Sequence, residues 1–156
     1  MGEPRVGFGF DVHASDPARQ LWLGGIQFEG EAGLAGHSDG DAVCHALADA
    51  LLGAAALGDL GERFPEEDPA MEGIAGLDLL RRTVDLLRDA GWRPGSCDVT
   101  IVCDRPSIAP RRGAIREALA EALGSEVGRV SVKATRPEGL GLTGDGIGCF
   151  AVATLR

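Results

Sequence analysis

Apolar and polar residues alternate from the start of the chain. Over 5–13, Val6, Phe8 and Phe10 share one parity and Gly7, Gly9, Asp11 and His13 the other, which predicts a strand with two chemically different faces. Residues 21–28, interrupted by Gly24-Gly25, predict a short hairpin, and 30–36 a connection. An Ala- and Leu-rich run over 41–56, stopped by Gly58, predicts the first long helix and is followed by a turn at Asp59-Leu60-Gly61. Phe64-Pro65 and the acidic residues after it break any helix. Helical spacing returns over 77–90 and 114–123, and strand-like runs occupy 97–103, 127–134 and 147–155. The order β, hairpin, α, α, β, α, β, β predicts an α+β two-layer sandwich: a mixed four-stranded sheet with helices on one face, plus a small β-hairpin. With no repeat or linker, 1–156 reads as one domain, long enough to bury a core without disulfides or structural metals.

Composition narrows the function. A net charge of −9 argues against nucleic acid, which needs a basic footprint. An anionic substrate would have to be held by local attraction: cations, helix N-termini and backbone N–H groups. No apolar run reaches membrane-spanning length, and Met1-Gly2-Glu3-Pro4 lacks the parts of a signal peptide, so a cytoplasmic protein without membrane partners is expected. The four cysteines lack Cys-x-x-Cys spacing and read as reduced core residues.

All three histidines fall in the first 45 residues, in Phe10-Asp11-Val12-His13 and in His37-Ser38-Asp39-Gly40-Asp41 followed by His45. Residues two apart on a strand share a face, so Asp11 and His13 can aim at one point. His45, one helical turn beyond Asp41, can swing toward them. One oxygen and two nitrogens suit Zn²⁺ with a fourth position open. A second cluster surrounds Lys133, the only lysine. In the loop that follows, Gly139, Gly141 and Gly144 let backbone approach a ligand, Thr135 and Thr143 offer hydroxyls, and Glu138 can hold a hard cation.

These motifs, with Asp49, 51–59, Phe64-Pro65, Lys133-Ala134-Thr135 and Glu138-Leu140-Gly141, resemble the 2-C-methyl-D-erythritol 2,4-cyclodiphosphate synthase family nearly end to end. The resemblance implies a phosphorus–oxygen lyase of non-mevalonate isoprenoid biosynthesis. It would cyclise 4-diphosphocytidyl-2-C-methyl-D-erythritol 2-phosphate and release CMP. It implies that Asp11, His13 and His45 ligate zinc, that Glu138 serves Mg²⁺ or Mn²⁺, and that Thr135 binds the diphosphate. His37 and Ser38 would meet the substrate, Asp59 and Gly61 its methylerythritol hydroxyls, and main-chain groups of Cys103, Asp104, Arg105, Pro106, Ser107, Ile108 and Ala109 its cytosine. Lys133, Ala134 and Arg136 would join Thr135 in binding the substrate in that half. It also implies a homotrimer with sites between subunits, each half from a different chain. Two positions depart from the family pattern: Ser107 stands where a lysine is common, and Arg136 where a second threonine is expected. The alternatives are a zinc-dependent phosphohydrolase, in which the open metal position activates water, and a non-catalytic trimeric module with structural zinc.

Overall fold

The long apolar-periodic segments fold as the pattern predicts, and what separates them decides where the site lies. The computed structural model describes residues 3–156; Met1 and Gly2, part of the N-terminal segment considered above, lie outside them. The strands are β1 (Arg5–His13), β2 (Ser15–Asp16), β3 (Leu21–Leu23), β4 (Ile26–Phe28), β5 (Gly33–Leu34), β6 (Pro94–Val102), β7 (Val130–Thr135) and β8 (Ile147–Leu155). The helices are α1 (Ala42–Ala54), α2 (Leu60–Arg63), α3 (Gly76–Asp89) and α4 (Arg112–Leu123).

The main sheet has the order β1-β8-β6-β7. β8 runs antiparallel to β1 and β6, whereas β6 and β7 are parallel, so the sheet is mixed. It follows that β1, β6 and β7 all end at the same rim. α1 covers β1 and β8, α4 covers β7, and α3 packs against both helices. β3 and β4 form the expected hairpin; its turn uses Gly24 and Gly25 at φ 59° and 77°, where a side chain would be strained. Two short features escaped the sequence pattern: the β2–β5 pair, which ties the middle of the 30–36 connection to the residues just after β1, and α2, which replaces the predicted turn after Asp59. Both span too few residues to show a period.

Which face of β1 is buried also runs against simple hydrophobic reasoning. Gly7 and Gly9 face α1, and a Cβ on either would lie within 2 Å of a helix carbonyl, at 1.8 Å from Ala50 O and 1.9 Å from Ala46 O. Opposite them, Ala151, Ala153 and Cys149 keep β8 equally thin, so α1 lies directly on both strands. The apolar parity points outward: Val6 and Phe8 are 63% and 62% exposed, and Phe10 and Val12 are also open. Phe150 stacks on Phe8 and Phe10 across the strand pair, with ring centroids 6.0 and 4.7 Å away. The helix-side core is one contiguous cluster around Leu47, Leu51, Leu80, Ile101 and Leu119. No helix among the described residues is long and apolar enough to cross a membrane.

Candidate functional site

Close packing of α1 on β1 brings the histidines together. Asp11 and His13 share the glycine parity of β1 and therefore face the helix, while His45 sits in the first turn of α1. Asp41 fixes where that turn begins. Its fully buried carboxylate caps α1 by accepting from Val43 N and Cys44 N, both at 3.1 Å, and grips the hairpin turn through Gly24 N and Gly25 N at 2.8 and 2.7 Å. Burial, helped by Asp39, pushes this carboxyl up, against those N–H donors. Asp39 accepts from Asp41 N and from Gly76 N, tying the loop to the start of α3. Both aspartates thus organise backbone, and neither joins Asp11, His13 and His45.

Asp11, His13 and His45 form a triangle of ligand atoms. His13 Nε2 lies 2.6 Å from Asp11 Oδ2, and His45 Nδ1 lies 3.2 Å from that oxygen and 3.3 Å from His13 Nε2. A tetrahedral ion with bonds of about 2.0–2.1 Å has edges of about 3.3 Å, so two sides already match and the third closes at hydrogen-bond length. The outer ring nitrogens explain why all three atoms point inward. His13 Nδ1–H donates to Ala35 O at 2.6 Å, so loss of the Nε2 proton that Asp11 accepts in the metal-free protein leaves a lone pair on Nε2, and His45 Nε2 lies 3.0 Å from Ser38 Oγ. Lone pairs of one carboxylate and two imidazoles converging on a point call for a shared cation. Burial pushes the Asp11 carboxyl up, but hydrogen bonds with His13 and His45 outweigh it and bring it to about 2; the bond to Asp11 raises His13.

The triangle opens into a cleft of about 450 Å³ between the end of β1, the 36–38 loop and the α1–α2 connection. His37 is exposed at its edge, while Ser38, which the resemblance assigns to substrate, is buried behind His45. Asp59 and Gly61 line the far wall; Asp59 caps α2 through one carboxylate oxygen to Glu62 N at 2.8 Å, and Asp49 fixes that connection by accepting from Leu60 N. Met71, Ile74 and Leu79 also line the cleft with apolar side chains that sequence reasoning missed, because a buried apolar residue carries no mark of the site it lines.

The second cluster assembles elsewhere. Residues 103–104, 106–109 and 134–136 surround a separate hollow of about 270 Å³, and Cys103 N donates to Thr135 O at 3.1 Å, joining the two loops. Arg105 leaves this hollow to form a two-pronged ion pair with Glu31, at 3.2 and 3.0 Å. Lys133 also points away: on the outer sheet face its ammonium sits 2.7 Å from Asp98. Glu138 is exposed, at a positive φ of 52°. All four cysteines are free and buried, and burial pushes Cys97 and Cys103 up to about 12 and 11, which removes them as nucleophiles at neutral pH. The triad and the hollow occupy the same rim of the sheet but its opposite edges, β1 and β7, three strand spacings or about 14 Å apart.

A mixed α+β sheet carrying a converging two-histidine, one-carboxylate triad at its strand ends and a loop-built hollow on the far edge defines a class of proteins with a candidate metal site opening into a cleft. Comparison narrows the class: the model of the YgbB family matches residues 4–156, and the chain belongs to that family. It is 52% identical to the 2-C-methyl-D-erythritol 2,4-cyclodiphosphate synthase of Symbiobacterium thermophilum, over 96% of this chain and 97% of the relative. The bifunctional enzyme IspD/IspF of Anaeromyxobacter dehalogenans is 50% identical over 96% of this chain, which spans only 39% of that longer protein. Among solved structures, a 2-C-methyl-D-erythritol-2,4-cyclodiphosphate synthase described as the CDP-bound form superposes with a TM-score of 0.90 at 34% identity, over 97% of this chain and all of the other. The CDP complex of the Plasmodium falciparum protein gives 0.84 at 29%, over 99% and 97%.

Proposed function

We propose that this protein catalyses the cyclisation of 4-diphosphocytidyl-2-C-methyl-D-erythritol 2-phosphate to the 2,4-cyclodiphosphate with release of CMP, as a cytoplasmic phosphorus–oxygen lyase of isoprenoid precursor synthesis. The observation that carries this reading is the converging Asp11, His13 and His45 triad in a chain matched over 96% of its length by a relative of that name. An oxygen of the 2-phosphate attacks the β-phosphorus, the bond from that phosphorus to the oxygen bridging it to CMP breaks, and CMP leaves with both electrons. Zinc at the triad and Mg²⁺ or Mn²⁺ at Glu138 would supply charge neutralisation on the diphosphate.

The chain's own residues do the positioning. His37, exposed at the cleft edge, offers a donor to phosphate oxygens. Ser38 stands behind His45 and reaches substrate only through its hydroxyl edge. Asp59 keeps one carboxylate oxygen for a methylerythritol hydroxyl, and Gly61 presents bare backbone beside it. Main-chain groups of 103–109 take the cytosine, while Thr135, Ala134 and Arg136 line the diphosphate path. Lys133 acts through its ion pair with Asp98, holding β7 against β6.

One chain leaves these halves about 14 Å apart, and the exposed row of Val6, Phe8, Phe10, Val12 and Val152 asks for a cover. A homotrimer with each site built from two neighbouring chains meets both demands. The test is incubation with the cytidine substrate and both metals, followed by phosphorus NMR. Cyclic diphosphate plus CMP supports the proposal, whereas an acyclic, hydrolysed product would establish the phosphohydrolase alternative.

A further inference from the structure

We propose that Arg19 is the positioning residue of the metal site, clamping the loop that orients both histidines. Its half-buried guanidinium donates from both terminal nitrogens to the carbonyls of Gly36 and Ser38. The intervening carbonyl of His37 faces the other way and accepts from Gly73 N at 2.9 Å, while that of Ala35 accepts from His13. Four successive carbonyls are thus spent on fixing one short strap. The strap carries the acceptors for the outer nitrogens of both histidines: the Ala35 carbonyl for His13 and the Ser38 hydroxyl for His45. Those contacts decide which nitrogen of each ring faces Asp11, namely Nε2 of His13 and Nδ1 of His45.

A planar fork matches two carbonyls spaced i and i+2 in a way that a single ammonium cannot. Arg19 is itself anchored, since its N–H donates to Asp16 O at 3.1 Å and its carbonyl accepts from Gly33 N at 3.0 Å. The clamp therefore runs from the β2–β5 pair to the strap, and from the strap to both rings. Arg19 touches neither ligand atom nor substrate cleft; its charge opposes protonation of His13, and its hydrogen bonds act through the loop.

This inference rests on the triad holding zinc, and the test separates the two. Zinc affinity is measured by competition with a chromophoric chelator for the wild type, Arg19→Met, Arg19→Lys, Ser38→Ala and the Arg19→Met/Ser38→Ala double variant. Arg81→Met, remote from the site, serves as the control. One tight zinc per wild-type chain supports the triad, and a wild type that takes up none overturns both readings. With zinc bound by the wild type, Arg19→Met and Ser38→Ala are each expected to weaken binding about 10-fold, the low end for partners outside the ligand shell. Arg19→Lys should recover only part of the loss, and Arg81→Met should bind as the wild type does. Because both changes free the same strap, the double variant should lose far less than the product of the two singles. Affinity of Arg19→Met within twofold of the wild type, or losses that multiply, would overturn the clamp. In cadmium-loaded protein with nitrogen-labelled imidazoles, the wild type should show metal coupling to Nε2 of His13 and Nδ1 of His45. Arg19→Met should broaden or lose these couplings, and unchanged couplings count against the inference.

Discussion

Replacing Gly9 with alanine adds one methyl group where α1 lies on β1, and the structure gives its cost. The new Cβ would sit 1.9 Å from Ala46 O and 2.8 Å from Ala50 N, whereas ordinary contact begins at 3.4 Å, a shortfall of 1.5 Å on the closer atom. Both obstructing atoms are helix backbone, so no rotamer change relieves the clash and α1 must retreat. Overpacking costs about 1–3 kcal/mol, and a backbone obstacle puts this site at about 3. Ala46 follows His45 in the same turn, so the retreat carries the imidazole away from Asp11 and His13, which move with β1. Metal–ligand distances tolerate about 0.2 Å, several-fold less than the displacement needed. Gly9→Ala should therefore lower the urea midpoint by the equivalent of about 3 kcal/mol and weaken zinc binding at least about 100-fold. Gly53→Ala is the internal control: it lies on the exposed side of α1 with nothing within 4 Å of the added Cβ, and should stabilise by about 0.5–1 kcal/mol without touching zinc affinity. Unchanged zinc affinity in Gly9→Ala, or a loss of stability under about 0.5 kcal/mol, would refute the argument that close packing sets the ligand geometry.

Other perturbations probe the same site. In metal-free protein Asp11 is lowered from 3.8 to about 2, so its stabilisation is complete above 3.8 and disappears as pH falls through about 2. His13 is raised from 6.5, so its share is present below 6.5 and disappears as pH rises through the raised value. Urea titrations should find the largest gap between the wild type and Asp11→Asn, about 2 kcal/mol, between pH 3.8 and 6.5; a gap independent of pH would refute this pairing. His45→Ala should abolish turnover yet leave circular dichroism unchanged, since the core is built without metal, and global unfolding on chelation would contradict that. Inactive His13→Ala and Glu138→Ala chains, refolded together in equal amounts, should recover about a quarter of wild-type activity, because an intact zinc half meets an intact loop half at one interface in four. Verified mixing with no recovery would place both halves within one chain.

The sequence exposes some of this architecture and hides the rest for identifiable reasons. Long elements carry a period, so α1, α3, α4 and the four main strands are legible, and Asp41 marks the start of α1 because its residue type suits a cap. Asp11 and His13 are legible as a pair because strand geometry forces i and i+2 to one face. The direction that face points is not: alternation in β1 is clear, but that glycines lie inward and phenylalanines outward depends on how closely α1 approaches. Contacts set by chain path are equally invisible. The Ala35 carbonyl has no residue-type signature, and Lys133 looks like a substrate contact until Asp98, 35 residues away, is seen to hold it.

The outward phenylalanines and the divided site have a common physical origin in the sheet order. Helices cover one face only, so the apolar row of β1 and β8 must be covered by another molecule or remain a costly surface. The half-sites lie on the two outermost strands, so a neighbour bound head to tail, with its β7 edge beside this chain's β1 edge, would bring its loop to this chain's triad. Such a contact joins two different patches and therefore closes only as a ring. In the proposed trimer the aromatic faces of the three sheets would turn to the common axis, and three composite sites would lie at the seams. A dimer joined face to face would bury the phenylalanines too, but its two-fold symmetry pairs like edges and leaves each triad without a loop. Burial alone does not choose between these assemblies, whereas the proposed chemistry would, because only the ring would complete a site for both ends of the proposed cytidine diphosphate substrate.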